Sequence, residues 1–119
     1  MTTALVIPAS PLVPPYTVQL PSADPSAVLR ELVGGWLEGV HGETDDGQRV
    51  TLYINEEGRL HGLPSNPIAS LLWSWIDRAS AGQDLVGTVV AVGVNGCDEA
   101  AVPERVLHAV NKLRAVLSE

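Results

Sequence analysis

Proline divides this chain before any other feature does. Nine prolines stand among 119 residues, and four of them, Pro8, Pro11, Pro14 and Pro15, fall between positions 8 and 15. Proline has no amide hydrogen to give to a sheet ladder and its φ is fixed, so this stretch is excluded from regular strand and reads as an exposed loop over 8–15. The apolar run Thr3–Ile7 before it and the alternating run Tyr16–Leu20 after it then read as two paired strands. Three further prolines mark helix starts. Asp24-Pro25 and Asn66-Pro67 each place a capping side chain before a residue already at helical φ, and Pro103 opens the last helix. The first helix is expected to run to about Val33 and to stop at Gly34-Gly35, with the Asp24 carboxylate accepting from its first free amides.

Between these helices, Trp36–Val40 and Val50–Ile54 read as a hairpin around a polar turn at Glu43–Gly47, and Asn55-Glu56-Glu57-Gly58 as the next turn. The second helix is expected to extend to about Arg78. Ile68, Leu71, Leu72, Trp73, Trp75 and Ile76 nearly encircle it, so it is either a central core helix or lends a face to another subunit, and a homodimer is one expectation. Val86–Val94 reads as a buried strand and Cys97–Ala101 as a connection. The helix over 103–117 is amphipathic, with Val106, Leu107, Val110, Leu113 and Leu117 on its inner side. About five strands and three helices without βαβ alternation give an α+β class: a single compact domain over 1–119 with a mostly antiparallel sheet.

The composition excludes several functions. Hydrophobic residues at 45% and charged residues at 18% suit a folded core rather than a disordered chain. Residues 1–60 carry eight acidic side chains against three basic ones, and the net charge is −7. That argues against nucleic acid, whose phosphates require clustered Lys and Arg; Arg105, Lys112 and Arg114 form only a loose group that a helix C-terminus also favours. Cys97 is the only cysteine, so this chain alone can make neither an internal disulfide nor a cysteine zinc site, and a reducing compartment fits. The first twenty residues lack a basic start and are broken by proline, unlike a secretory signal. No apolar run is long enough for a membrane helix, and the expected location is the cytoplasm.

Catalytic spacing is hard to find. His41, His61 and His108 fall on different expected elements, so no nucleophile–base pair can be argued. His41, His61 and Glu56 could meet only if two turns approached each other, and no pair has the spacing of a metal motif. The glycines of Val86–Gly93 lie in a strand rather than a phosphate loop. No catalytic, metal or cofactor site is assigned. The polar residues best placed to bind are Glu38, Asn55, Glu56, Asn66 and Asp84, which stand at strand ends, turns and helix starts. Each has a structural reading as well: Asn66 as a helix cap, Asn55 and Glu56 as turn formers, Asp84 as a loop anchor, Glu38 as a solvated strand position. Trp36 joins them as a possible platform, although Trp36, Trp73 and Trp75 are all expected in the core of so small a domain.

Four segments occur in order: Val33-Gly34-Gly35-Trp36-Leu37-Glu38, Asn55-Glu56-Glu57-Gly58-Arg59-Leu60, Leu63-Pro64 with Asn66-Pro67-Ile68-Ala69, and Asp84-Leu85-Val86-Gly87-Thr88-Val89-Val90. Together they resemble small proteins of bacteriophages, actinobacterial ones among them, and of other mobile elements, grouped as domain-of-unknown-function family 3846. The resemblance covers roughly residues 3 to 95. It implies an accessory protein acting in a host cytoplasm, with an aromatic residue usual at Trp36 and a more variable helix after Val94. It implies no activity, cofactor or catalytic residue.

Three functions follow as expectations. The first is a non-enzymatic interaction module that binds a host protein and is weakened by charge reversal at Asp45 and Asp46. The second is a small-molecule binder, such as one sequestering a nucleotide signal, with a pocket between subunits at Trp36, Asn55 and Asn66. The third is a small hydrolase using Glu38 or Glu56 as general base.

Overall fold

The structure is a computed structural model and describes residues 1–117. Its six strands are β1 (Thr2–Ile7), β2 (Tyr16–Leu20), β3 (Leu37–Glu43), β4 (Arg49–Asn55), β5 (Val89–Asn95) and β6 (Asp98–Ala100). The helices are α1 (Pro25–Val33), α2 (Pro67–Ile76) and α3 (Glu104–Leu117). The strands form one antiparallel sheet in the order β2-β1-β5-β4-β3, with β6 pairing β5. The class is α+β, as the absence of βαβ alternation predicts. The proline segment is the connection between β1 and β2, and it carries the exposed Leu12 and Val13.

Strand alternation sorts the core into two layers. Leu5 and Ile7, Val50 and Leu52, and Val89 and Ala91 face α2 and α3, where they pack with Ile68, Leu72, Ile76, Val106 and Val110. Ala4, Val6, Val90 and Val92 point the other way, onto Leu29 and Val33 of α1. Burying a side chain of Leu or Val size contributes about 1.5–3 kcal/mol, so both layers matter to so small a domain. The inner side expected for α3 is observed: Val106 and Val110 are fully buried, and Leu107, Leu113 and Leu117 pack partly against the same core. The hydrophobic girdle of α2 divides between inside and outside, because Leu71 and Trp75 remain 45% and 39% exposed.

The structure corrects the expectations at four places. Val86–Thr88 is not strand: Gly87 adopts φ +74°, Val86 bridges to Ser65, and β5 begins only at Val89. The Cys97–Ala101 connection contains β6, because Gly96 at φ +65° permits a tight hairpin that sets Asn95 opposite Asp98. Helix α2 stops at Ile76, where Asp77 turns to an extended φ of −146° and its carboxylate caps a short 3-10 turn, Arg78–Ser80. Asp24 does not cap α1 through its side chain. It sits in the left-handed region at φ 50°, and its carboxylate accepts from the Ser26 hydroxyl instead.

Candidate functional site

Two glycines end α1 and aim the chain into β3. Gly34 closes the helix at φ +82°, a conformation that disfavours any residue with a Cβ. Gly35 is needed for space: a Cβ there would stand 2.8 Å from the Asn55 side-chain nitrogen. The chain therefore leaves Trp36 at the outer edge of the sheet, 60% exposed, with the Arg30 guanidinium 5.4 Å from its ring centre. Trp36 is thus not core, because it precedes an edge strand beyond which no further strand pairs among the described residues.

Asn55, at the end of β4, ties the same corner together. Its amide donates to the Val33 carbonyl at 3.3 Å, and its carbonyl oxygen accepts from the Glu57 amide at 2.9 Å. The Trp36 carbonyl accepts from the Glu56 amide at 2.8 Å, joining the start of β3 to the turn after β4. Beyond Glu56 the chain winds through short turns, in which Gly58 donates to Asn55 and Leu63 to Gly58, and leaves Leu60 82% exposed. The Arg59 guanidinium reaches across and donates to the Asp84 carbonyl.

Asn66 lies beneath, with no exposed surface. Its side-chain nitrogen donates to the carbonyls of Ile7 and Gly87, each at 2.9 Å, and its oxygen accepts from the Ala69 amide at 3.0 Å. One side chain thereby caps α2, holds the end of β1 and fixes the bend before β5.

The product is a groove of about 250 Å³ on the α2 side of the sheet, between β3, β4 and the loops over 56–63 and 83–86. Glu38, Glu56 and Asp84 supply carboxylates at its rim, while Val40, Ile54, Leu60, Trp73 and Leu85 supply apolar wall. The Trp73 indole nitrogen is buried and has no hydrogen-bond partner among the described residues. Of the six residues singled out from sequence, Glu38, Asn55, Glu56 and Asp84 line this groove, and Trp36 adjoins it through its hydrogen bond to Glu56. Asn66 does not reach it: its side chain is fully buried within the chain rather than open toward the pocket between subunits expected of Trp36, Asn55 and Asn66. The sequence reading passed over Arg59 and Leu60, although both stand in a quoted segment. It also missed Trp73, whose place in α2 marked it as core.

The other side of the sheet holds a second polar cluster. His41 Nδ1 and the Thr51 hydroxyl are 2.9 Å apart, and the Tyr53 hydroxyl donates to Glu99 Oε1 at 2.8 Å. Burial, and then the Glu99 carboxylate beside it, push the Tyr53 phenol up to about 12, so it stays a donor at any ordinary pH. His41 stands here while Glu56 lines the groove on the opposite side, and among the described residues no three His, Cys, Asp or Glu side chains gather into a group able to hold a metal.

Fold and groove together define a small α+β domain with an acid-rimmed, apolar-walled groove at one end of its sheet. The chain belongs to the family described as Domain of unknown function (DUF3846), whose family model matches residues 1–114. The match extends beyond the range of 3 to 95 that the four segments cover and takes in most of α3. No match is found among curated proteins, nor among solved structures. Among the described residues no helix is long and apolar enough to cross a membrane.

Proposed function

We propose that this protein is a non-enzymatic interaction module of a phage or mobile element, and that it binds a host protein through the groove end of its sheet. The observation that carries the reading is the division of labour among the residues of that end. Asn55, Asn66 and Gly35 are buried or sterically committed to the backbone, and the frame they make holds Leu60 out in solvent at a groove lined by three carboxylates and leaves Trp36 exposed at the adjoining corner, its ring against Arg30. Exposed aromatic and aliphatic anchors ringed by charge are the usual composition of a protein interface. The acidic rim favours a partner with a basic face.

Asp45 and Asp46, the charge-reversal sites expected from sequence, pair with Arg105 at 2.9 and 3.4 Å in the β3–β4 turn, so reversal there would also disturb the fold's own ion pairs. Glu56 and Asp84 are the cleaner sites. Tagged protein bound to host lysate should enrich a specific protein, and capture should fall at least tenfold with Trp36→Ser plus Leu60→Ser, and with Glu56→Lys plus Asp84→Lys. A captured protein indifferent to all four substitutions, or no enriched protein under gentle conditions, would sink the reading.

A further inference from the structure

Helix α1 covers only part of its side of the sheet. Beyond Val90 and Val92 the same side carries the cleft of about 210 Å³ that holds the His41–Thr51 and Tyr53–Glu99 pairs. Its two walls differ in charge. Arg49 of β4 stands on one, and Asp98 and Glu99 of the β5–β6 hairpin stand on the other. Arg49 lies opposite Glu43 in the strand register, yet among the described residues no carboxylate comes within 4 Å of its guanidinium. On the far wall Glu99 is engaged by Tyr53, while Asp98 makes no ion pair among the described residues.

We infer that this cleft is a binding site for a small zwitterion, an α-amino acid or a molecule of the same charge layout, separate from the groove. A carboxylate would meet the Arg49 guanidinium, which offers a planar fork of donors, and an ammonium would meet Asp98 and Glu99. A lone anion is repelled by the hairpin carboxylates and a lone cation by Arg49, so only a ligand carrying both charges satisfies both walls. The size agrees. At about 210 Å³ the cleft lies below the roughly 300–1,000 Å³ that hold drug-sized ligands and leaves room for an amino acid. The Thr51 and Tyr53 hydroxyls lie between the walls as further polar contacts.

The test is titration of the full chain with L-alanine and L-glutamine, followed by amide NMR at Gly96, Cys97 and Asp98 and at the Arg49 side chain. Acetate and methylammonium serve as single-charge probes. Saturable shifts with an amino acid, and affinity weaker by roughly tenfold or more for each single-charge probe, are expected. Arg49→Gln and Asp98→Asn should each weaken amino-acid binding by about tenfold and leave the rest of the spectrum unchanged. Should Arg49→Gln disturb folding, Arg49→Lys keeps the charge without the fork and should bind more weakly than the parent. No saturable shift with either amino acid, equal affinity for acetate or methylammonium, or undiminished binding by the Arg49 variant overturns the inference.

Discussion

Asp24-Pro25 and Asn66-Pro67 present the same signal, a short polar side chain before a proline that opens a helix, and they end in opposite circumstances. Asn66 is wholly buried and hydrogen-bonds to β1, to the chain entering β5 and to α2. Its own amide donates to the Leu85 carbonyl at 2.8 Å. Asp24 is exposed and left-handed, and its side chain accepts from the Ser26 hydroxyl. A capping motif therefore specifies where a helix begins, while its surroundings decide how much depends on it. The Asn66 side chain has two donors and one acceptor to distribute, and the fold brings three backbone partners to it.

Exchanging the two side chains tests this contrast most severely. Asn66→Asp replaces a donor with a carboxylate facing the carbonyl oxygens of Ile7 and Gly87, a buried unpaired charge that should destabilise by about 3–5 kcal/mol. The loss should ease as pH falls, because a protonated carboxyl can donate to one of those carbonyls and the native state then takes up a proton. Urea unfolding at two pH values would check both points, and a change under 1 kcal/mol, on the scale of an ordinary surface substitution, would break the comparison.

Ser70 lies one step from Asn66, accepting from the buried Leu85 amide at 2.8 Å and donating to the Asn66 carbonyl at 2.7 Å. Ser70→Ala should lower stability by about 1–3 kcal/mol, read from the urea midpoint at unchanged m-value. At the other helix the dependence lies at the C-terminal end. Gly34→Ala forces a Cβ into the left-handed region and should lower stability by about 1–2 kcal/mol in the same measurement. Asp24→Asn, the other half of the exchange, should shift stability by less than about 0.5 kcal/mol; a larger loss would mean that α1 relies on its N-terminus after all.

Much of the architecture was legible because it follows from local rules. Proline and the period-two alternation placed β1 and β2, Gly34-Gly35 closed α1, and the spacing of Val106, Val110 and Leu113 gave α3 its inner side. Two of the misreadings occurred where glycine adopts positive φ. Gly87 bends a segment that composition assigns to strand, and Gly96 makes a hairpin from what looked like a plain connection. Site residues were legible to the extent that their turns were. Glu38, Asn55, Glu56 and Asp84 meet in one groove because the turns that carry them are tied to one another. Nothing local announces that Tyr53 will reach Glu99 across the sheet, since that contact exists only after β6 has paired with β5. The exposure of Trp36 was equally unreadable, as it depends on which strand becomes the sheet's edge.

Sheet order also has a consequence for how the chain is made. The β1–β2 hairpin is the first part of the sheet to be synthesised, yet Leu5, Val6 and Ile7 pair with Ala91, Val90 and Val89, which arrive after α1, the β3–β4 hairpin and α2. A nascent chain stopped short of Val89 holds two hairpins and no strand to join them. Closure of the sheet is a late, non-local event, and folding speed should be governed by the loop that β5 must close between the hairpins.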